Sequence, residues 1–373
     1  MRYTNAMIFT PQFVFQRGEF AVEGGRFVPP AREGQAVDLQ GAYVLPGLVD
    51  IHIHGCAGCD FSDGDEAGLR RMATHCAGRG VTALLPTSMS LPCEQLERAF
   101  SVGRRVMEDR RRGESRVLGF HMEGPFLSPA KRGAQREDHL KDPDFAAFEA
   151  LYEASGGAIR IVDVAPELPG AVDFTHKAAR LCRVSVAHTG CDYDQASALY
   201  DAGADHLTHL YQAMTGFHHR APGPIPAAAE RGEVTAELIA DAVHSHPAAI
   251  RLAFRLFPGR LCLVSDAMRG CGMPDGVYEL GGQQVAIRGR RATLPGDVLA
   301  GSVSDLYTCM RTAIACGVPR EAAIRAATCE PARAAGALDR LGTIEPGKLA
   351  DFLICDENLD LRAVYIGGEK VTT

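Results

Sequence analysis

Hydrophobic and polar positions alternate in two different ways along the chain. Short runs rich in β-branched and aromatic residues fill positions 1–48 and return after position 340, which predicts strands at both ends. Between them, apolar runs alternate with segments of helical period, such as DQASALYDAG, where Asp194 is expected to cap a helix and Gly203 to end it. Eight apolar runs are predicted to be strands: 44–58, 81–88, 117–124, 159–167, 183–190, 206–211, 237–244 and 261–268.

This alternation predicts an α/β protein. Eight strands alternating with helices over about 250 residues are typical of a (β/α)8 barrel of the TIM type. A doubly wound open sheet is the competing architecture, but such sheets usually carry a glycine-rich phosphate turn after the first strand, where this chain has HIHGCAG. We therefore expect a barrel over residues 49–339 and a small β-sandwich domain formed by both termini, residues 1–48 and 340–373.

Charge and cysteine content narrow the class of partner. The net charge of -7 argues against nucleic acid and against an anionic membrane surface, although a local basic patch suffices for a small anionic substrate. No window of about 20 apolar residues is present to span a membrane. Twelve cysteines scattered through a long chain predict reduced thiols, and hence a cytoplasmic protein.

The predicted strands end in residues that bind metals or transfer protons. His52 and His54 are two apart at the end of the first strand, so both rings leave on one face. Later strands end in Glu123, His188, His209, His244 and Asp266. Because the carboxyl ends of barrel strands share one face, we expect these side chains to meet around one centre.

The candidate ligands predict a metal-dependent enzyme. Glu123, His188 and His209 offer one carboxylate and two imidazoles, a set typical of a catalytic zinc site. A second ion can bind at His52 and His54, with Glu123 as a bridge. We expect one or two divalent ions per subunit, with zinc favoured over iron, manganese and cobalt. Asp266 is expected to take a proton from a metal-activated water and pass it to the leaving group.

Other polar residues have competing interpretations. His121 is expected to support a ligand rather than to be one, and His206 to point to the opposite face from His209. Arg220 lies in a loop beside two histidines, where an arginine fork suits phosphate. A solvated surface arginine fits that loop equally well.

The chain also contains a series of motifs that resemble a known family. From about Leu45 to Asp356 these are, in order, LPGLVDIHIHG, HMEGPFLSPAKRGAQ, AHTGCDYDQA, DHLTHLYQAMTGFHHRAPG, ELIADAVHSHP, LVSDAM, LAGS and GTIEPGKLADFLICD. They resemble the amidohydrolase superfamily and, within it, the N-acetylglucosamine-6-phosphate deacetylases. HxH and the last motif are superfamily signals, whereas HxEGPF, THLYxAM and IADxxH are more specific.

The resemblance implies an activity and a set of roles. It implies metal-dependent hydrolysis of the acetamide of a phosphorylated amino sugar, giving glucosamine 6-phosphate and acetate. By position, the metal ligands are Glu123, His188 and His209, and Asp266 is the acid/base. The resemblance further implies that Arg220 and His244 hold the sugar phosphate, and that a homodimer interface completes this site.

Three features distinguish this chain within the family. His52 and His54 are present, although some members lack the pair and use one metal, so two ions are favoured. Gln135 stands where well-known members have a histidine that polarises the acetyl carbonyl, and a glutamine can donate a hydrogen bond but cannot carry a proton. Gln212 replaces an expected asparagine, next to Ala213 and the phosphate-binding backbone.

These departures leave the exact sugar open. The expected substrate is N-acetylglucosamine 6-phosphate, and the alternatives are its galacto epimer or another N-acyl amino sugar. A non-catalytic sugar-phosphate sensor is the alternative of a different class. Such a sensor is expected to have lost Asp266 or a metal ligand, and this chain keeps all of them.

Overall fold

The structure is a computed structural model that describes residues 1–31 and 35–372. Its strands are, in chain order, β1 (Arg2–Phe9), β2 (Phe15–Glu23), β3 (Arg26–Val28), β4 (Ala36–Asp38), β5 (Tyr43–Pro46), β6 (Leu48–Ile53), β7 (Gly55–Cys56), β8 (Cys59–Asp60), β9 (Val81–Ser88), β10 (Arg116–Val117), β11 (Phe120–Met122), β12 (Ile159–Val164), β13 (Arg183–Val186), β14 (His206–Leu207), β15 (Thr235–Ile239), β16 (Leu261–Val264), β17 (Gly276–Leu280), β18 (Gln283–Arg288), β19 (Arg291–Leu294), β20 (Val298–Leu299), β21 (Phe352–Cys355), β22 (Leu361–Ile366) and β23 (Glu369–Lys370).

The α-helices are α1 (Glu66–Gly78), α2 (Cys93–Glu108), α3 (Phe145–Ala154), α4 (Ala171–Ala178), α5 (Tyr193–Asp201), α6 (Pro224–Ala229), α7 (Pro247–Leu256), α8 (Leu306–Ala315), α9 (Arg320–Ala327) and α10 (Cys329–Ala334). No helix in the described ranges is long and apolar enough to cross a membrane. All twelve cysteines are free thiols.

The middle of the chain forms the predicted (β/α)8 barrel. Its parallel strands follow the order β10-β9-β11-β12-β13-β14-β15-β16, with β6 beside β9, and β10 and β11 are two parts of the third barrel strand. The first and last strands meet where the backbone N–H of Asp266 donates to the carbonyl of His52 at 2.9 Å and that of His54 to Ala267 at 2.9 Å. Helices α1 to α8 follow the eight barrel strands one by one.

The two ends of the barrel have different chemistry. Helix α10 packs against β6 and β16 and joins an apolar cluster that includes Val49, Ile161 and Cys262, near the amino ends of their strands. The candidate residues His54, Glu123, His188, His209 and Asp266 lie at the opposite, carboxyl ends of their strands. This arrangement reserves the carboxyl face for polar chemistry, as in other barrels of this type.

Both chain termini contribute strands to one further sheet. Its order is β23-β22-β21-β5-β1-β2-β3, with β4 also paired to β1. The ring of Phe352 stacks on Tyr365 at 4.4 Å and lies 5.1 Å from Phe20, although β21 and β2 are three strands apart. The sheet therefore curves around an aromatic cluster. We propose that the chain divides as the sequence predicted, into residues 1–48 with 340–373 and residues 49–339; positions 32–34 and 373 lie outside the described residues.

One helix boundary differs from the prediction. Helix α5 is capped by Asp192 and not by Asp194. The carboxylate of Asp192 accepts the backbone N–H of Gln195 at 2.8 Å, and the side chain of Gln195 accepts that of Asp192 at 3.1 Å. This reciprocal capping box satisfies two helix-end donors, which Asp194, already inside the first turn, cannot do.

Replacing Phe352 by alanine tests the aromatic cluster. Because this ring is fully buried, its loss leaves a cavity and should lower the free energy of unfolding by about 3–5 kcal/mol in urea denaturation. The control Leu252→Ala removes a side chain that is 49% exposed and should change the free energy by less than about 0.5 kcal/mol. Equal effects of the two substitutions would contradict this account of the core.

Candidate active site

Three candidate residues lie at strand ends with an unusual backbone conformation. His188, His209 and Asp266 follow β13, β14 and β16 with φ values of 40°, 27° and 46°. Residues other than glycine seldom adopt positive φ, and such strain persists only where surrounding contacts hold it, often at functional sites. All three side chains line the same cavity at the carboxyl face.

The carboxylate of Glu123 lies at the centre of this face. Its Oε1 is 3.2 Å from Nε2 of His188 and 3.0 Å from Nε2 of His209. Its Oε2 accepts the side-chain amide of Gln135 at 2.6 Å and lies 3.3 Å from Nε2 of His54. Glu123 thus stands between two groups of histidines.

Gly124 explains why the chain can turn directly after Glu123. Its φ is 84°, and a Cβ at this position would lie 2.0 Å from Oγ of Ser90. Only glycine fits this close approach, which accounts for the sequence H-M-E-G at the end of the third strand.

The first strand contributes the second histidine group. Nε2 of His54 lies 3.2 Å and Nε2 of His52 lies 3.6 Å from Oδ1 of Asp266. The two rings therefore point to the same place, as the spacing of two residues predicts. Asp266 stands beside this group with a largely buried side chain.

The donor atoms fit a divalent metal. One set of ligand atoms comes from Glu123, His188 and His209, and another from His52, His54 and Asp266; within each set all atoms lie within 4.8 Å of one another. Nε2 of His52 is buried without a hydrogen-bond partner, and Nε2 of His188 lies only 3.0 Å from Nε2 of His209. Ring nitrogens that crowd together beside a carboxylate are the arrangement that a metal ion satisfies.

The charges of this cluster depend on one another. Burial favours the neutral form of Glu123, but hydrogen bonds from His188, His209 and His54 outweigh it and hold the pKa of Glu123 well below its ordinary value. Burial opposes protonation of His209, yet the contact with Glu123 raises its pKa to about 9. A metal that binds these rings must displace protons, so its affinity increases with pH.

A second polar layer lies beneath the cavity and was not predicted. Glu237, fully buried in β15, accepts Nδ1–H of His52 at 2.8 Å and lies 3.1 Å from Nε2 of His206. His121 has Nδ1 3.0 Å from the carbonyl oxygen of Ile51 and Nε2 3.0 Å from Oδ1 of Asp163. His121 therefore supports the site rather than lining the cavity, as expected.

The prediction for His206 was wrong. It points into the barrel toward Glu237 rather than away from it. Counting by alternation failed because the strand β14 ends at Leu207 and the left-handed backbone of His209 breaks the period of two. Both histidines consequently face the interior.

The cavity above these residues has a volume of about 390 Å³. Its lining includes four of the five residues predicted to bind substrate: Gln135, Gln212, Ala213 and His244. Leu280, Val298 and Leu299 of the β17–β20 hairpins form one wall. A crevice of larger volume, about 510 Å³, lies near Phe13 and Arg325. It contains none of the candidate site residues, so volume alone does not locate the site.

Contacts around Gln135 fix the direction of its amide. The backbone N–H of Ser90 donates to its Oε1 at 2.8 Å, and a backbone N–H can only donate. The NH2 group of Gln135 therefore faces Glu123 and the cavity. It can donate a hydrogen bond to a ligand there.

His244 is oriented by a carboxylate that the sequence analysis did not identify. Its Nδ1 lies 2.8 Å from Oδ2 of Asp241, whose other oxygen accepts the backbone N–H of His244. Burial acts against the charged form of Asp241, but these hydrogen bonds from His244 lower its pKa. Nε2 of His244 is left as the ring nitrogen for a ligand. Gln212 donates to the carbonyl of His244 at 2.9 Å.

Arg220 is the fifth residue predicted to bind substrate, and it does not lie at this cavity. It is exposed, contacts Nε2 of His219 at 2.8 Å, and does not line the cavity. The lining contains a different cation, Lys131, which belongs to the motif HMEGPFLSPAK but was not singled out from it. Phe217, three residues before Arg220 in the same loop, is 67% exposed.

Comparison with known families identifies the family of this chain. Residues 43–371 match the family model described as the amidohydrolase family. The chain belongs to the amidohydrolase family. The match runs from β5 through β23 and contains every candidate residue. This amidohydrolase is therefore a hydrolytic enzyme of a metal-dependent superfamily.

Several relatives resemble this amidohydrolase over most or all of its length. N-acetylglucosamine-6-phosphate deacetylase of Bos taurus is 35% identical, covering 100% of this chain and 95% of the relative. N-acetylgalactosamine-6-phosphate deacetylase of Escherichia coli O157:H7 is also 35% identical, covering 87% of each. A solved structure of a mutant N-acetyl-D-glucosamine-6-phosphate deacetylase of Mycobacterium smegmatis, in complex with N-acetyl-D-glucosamine-6-phosphate, superimposes with a TM-score of 0.92 at 34% identity, covering 100% of this chain and 99% of that one.

Replacing Glu123 by glutamine tests the metal site. The carboxamide keeps the shape but removes the charge that faces His188 and His209, so zinc affinity should fall by more than ~100-fold, beyond the 10–100-fold typical of residues that only orient a ligand. Competition with a chelator and elemental analysis measure it. Glu149→Gln, at an exposed helix position, is the control. Unchanged zinc affinity in Glu123→Gln would show that the ion binds elsewhere.

Proposed function

We propose that this amidohydrolase hydrolyses the acetamide of N-acetylglucosamine 6-phosphate to glucosamine 6-phosphate and acetate. The observation that carries the proposal is the convergence of Glu123, two histidine groups and Asp266 on one cavity, in a chain that matches such deacetylases end to end. A carboxylate beside nitrogen ligands, without a serine or cysteine nucleophile among the converging groups, suits hydrolysis by an activated water.

Five residues of this chain would hold the metal ions. We assign Glu123, His188 and His209 to one divalent ion and His52 and His54 to a second, with zinc favoured by the nitrogen and oxygen donors. When bound, such an ion activates water near neutral pH and polarises a carbonyl oxygen.

Asp266 is placed to move the proton. Burial acts to raise the pKa of Asp266, but the hydrogen bond from His54 outweighs burial and lowers it. The carboxylate is therefore ionised and accepts a proton from the attacking water at Oδ1 or Oδ2. It then delivers this proton to the departing amine nitrogen, which completes the hydrolysis.

Gln135 positions the acetyl group. Its NH2 donates to Glu123 in the free enzyme and donates to the acetyl oxygen when substrate is bound. Because the amide of glutamine does not ionise, Gln135 stabilises the developing negative charge on the acetyl oxygen only as a neutral hydrogen-bond donor.

The phosphate is held at the other side of the cavity. His244, Gln212 and the backbone at Ala213 face it from this chain. Arg220 is too exposed to serve its own cavity, so we propose a homodimer in which the loop carrying it and Phe217 completes the cavity of the second subunit. The free thiols of twelve cysteines support a reducing compartment, and we propose the cytoplasm.

The galacto epimer is the second candidate substrate. An N-acetylgalactosamine-6-phosphate deacetylase is as similar to this chain as the gluco enzyme, at 35% identity. Gln135 and Gln212, which depart from the pattern of the gluco family, both line the cavity. Either sugar retains the acetamide and the phosphate on which the proposed chemistry rests.

A panel of three sugars tests the function. Acetate release by zinc-loaded enzyme should be fast with N-acetylglucosamine 6-phosphate and slow with unphosphorylated N-acetylglucosamine, because the phosphate contacts are lost. N-acetylgalactosamine 6-phosphate discriminates the two candidates. Arg220→Gln should raise KM for the phosphorylated sugar only, whereas Arg255→Gln on an exposed face of α7 should not. No acetate from any sugar by metal-loaded enzyme would refute the proposal.

Replacing Asp266 by asparagine tests the proton transfer. The amide cannot accept the proton of the attacking water, so kcat should fall by about 10²–10⁴-fold. Zinc content and the thermal unfolding temperature should stay close to those of the wild type. Asp201→Asn, whose side chain is 72% exposed, serves as the matched control. Near-normal turnover by the Asp266 variant would exclude this role.

A further inference from the structure

Glu237 has the largest set of unexplained contacts in the polar layer below the cavity. Its side chain is completely buried. Oε2 lies 2.8 Å from Nδ1 of His52 and accepts the backbone N–H of His209 at 3.2 Å. Oε1 lies 3.1 Å from Nε2 of His206. A single carboxylate thus touches one residue from each of the two histidine groups.

The contact with Glu237 determines which nitrogen of His52 faces the site. A carboxylate oxygen accepts hydrogen bonds, so the proton of the His52 ring sits on Nδ1. Nε2 is then bare: it is buried, has no hydrogen-bond partner, and lies 3.6 Å from Glu123 and from Asp266. A bare Nε2 is the form of histidine that binds a metal.

The second contact of Glu237 supports the other group. His209 follows a strand of two residues and has a φ of 27°, a conformation that needs external support. Its N–H finds that support in Oε2 of Glu237, the same atom that holds His52. The spacing between the two groups therefore depends on one oxygen.

A direct role of Glu237 as a metal ligand is the competing possibility. Glu237, His52 and His121 also form a compact set of potential ligands. However, Nδ1 of His121 lies 3.0 Å from the carbonyl oxygen of Ile51, which can only accept, so this nitrogen carries a proton and has no free lone pair. Only two ligands remain in that set, and both already contact each other.

We propose that Glu237 is a positioning residue that presents Nε2 of His52 to a metal ion and fixes the backbone of His209. The inference rests on the metal centre of the proposed function and deepens it, since it makes occupancy of the second ion depend on a residue that touches neither substrate nor metal. Similar carboxylate–histidine–metal arrangements orient ligands in other metal sites.

Zinc binding by Glu237→Gln tests this role without any substrate. The glutamine keeps the volume but removes the negative charge and replaces one of the two accepting oxygens by an NH2 group. Chelator competition and elemental analysis should show two ions bound to the wild type, and one of them bound about 10–100-fold more weakly by the variant. Glu237→Asp, which keeps the charge, should recover part of the loss. The control Glu114→Gln changes another buried, ion-paired carboxylate and should bind zinc as the wild type does.

The outcomes separate this inference from the proposed function. Wild-type zinc affinity in Glu237→Gln overturns the inference, as does a wild type that binds one ion and still releases acetate; the proposed function then stands. Two ions bound to a wild type that releases no acetate leave the inference in place and refute the function.

A crystal structure of the zinc-loaded wild type provides the decisive measurement if the variant does not fold. Nε2 of His52 should lie about 2.0–2.1 Å from a zinc ion, with Nδ1 still within hydrogen-bonding distance of Glu237. Coordination of zinc by Glu237 itself, or a His52 ring that binds no ion, would overturn the inference.

Discussion

The site depends on the unscreened charge of one carboxylate. Glu123 is 3% exposed and faces His188 and His209 with one oxygen and His54 and Gln135 with the other. Because water does not screen these contacts, its charge controls the protonation of the surrounding rings. Four different elements must deliver their side chains to this one group, so the barrel has to bring the ends of distant strands together to within about one hydrogen-bond length.

The backbone at those strand ends is strained, and buried hydrogen bonds offset the strain. Positive φ values of this kind are unfavourable by about 1–3 kcal/mol each. The N–H of Asp266 donates to the carbonyl of His52, and the N–H of His209 donates to Glu237. The same contacts that close the barrel therefore also aim the side chains. The hydrogen bonds that hold this part of the barrel together therefore also hold the candidate catalytic side chains in place.

The sequence predicted the parts of the fold that are encoded locally. Strand-length apolar runs alternating with helices predicted the barrel. The histidines and carboxylates at the ends of those runs gave the candidate ligands, because strand ends in a parallel barrel meet on one face. Glu237 could not be found in this way. It stands at the start of the run ELIADAVH rather than at its end, and its partners His209 and His52 are 28 and 185 positions away.

Side-chain direction was harder to predict than position. His206 was assigned to the wrong face because one left-handed residue interrupts the alternation. The sequence motif identified Arg220 as a candidate. Its distance from the cavity depends on how a long loop folds over the surface, and the hydrophobic pattern of the sequence does not predict that.

The strands β17 to β20, which form one wall of the cavity, lie outside the barrel sheet. Within the described residues these strands pair only with one another, between the eighth barrel strand and α8. Leu280, Val298 and Leu299 on this insertion meet the ligand space, while every metal-binding candidate belongs to the barrel. A change in the length or sequence of this segment can therefore alter the shape of the cavity without replacing any metal-binding candidate. Cavity shape and the candidate metal ligands are thus encoded in separate segments of the chain.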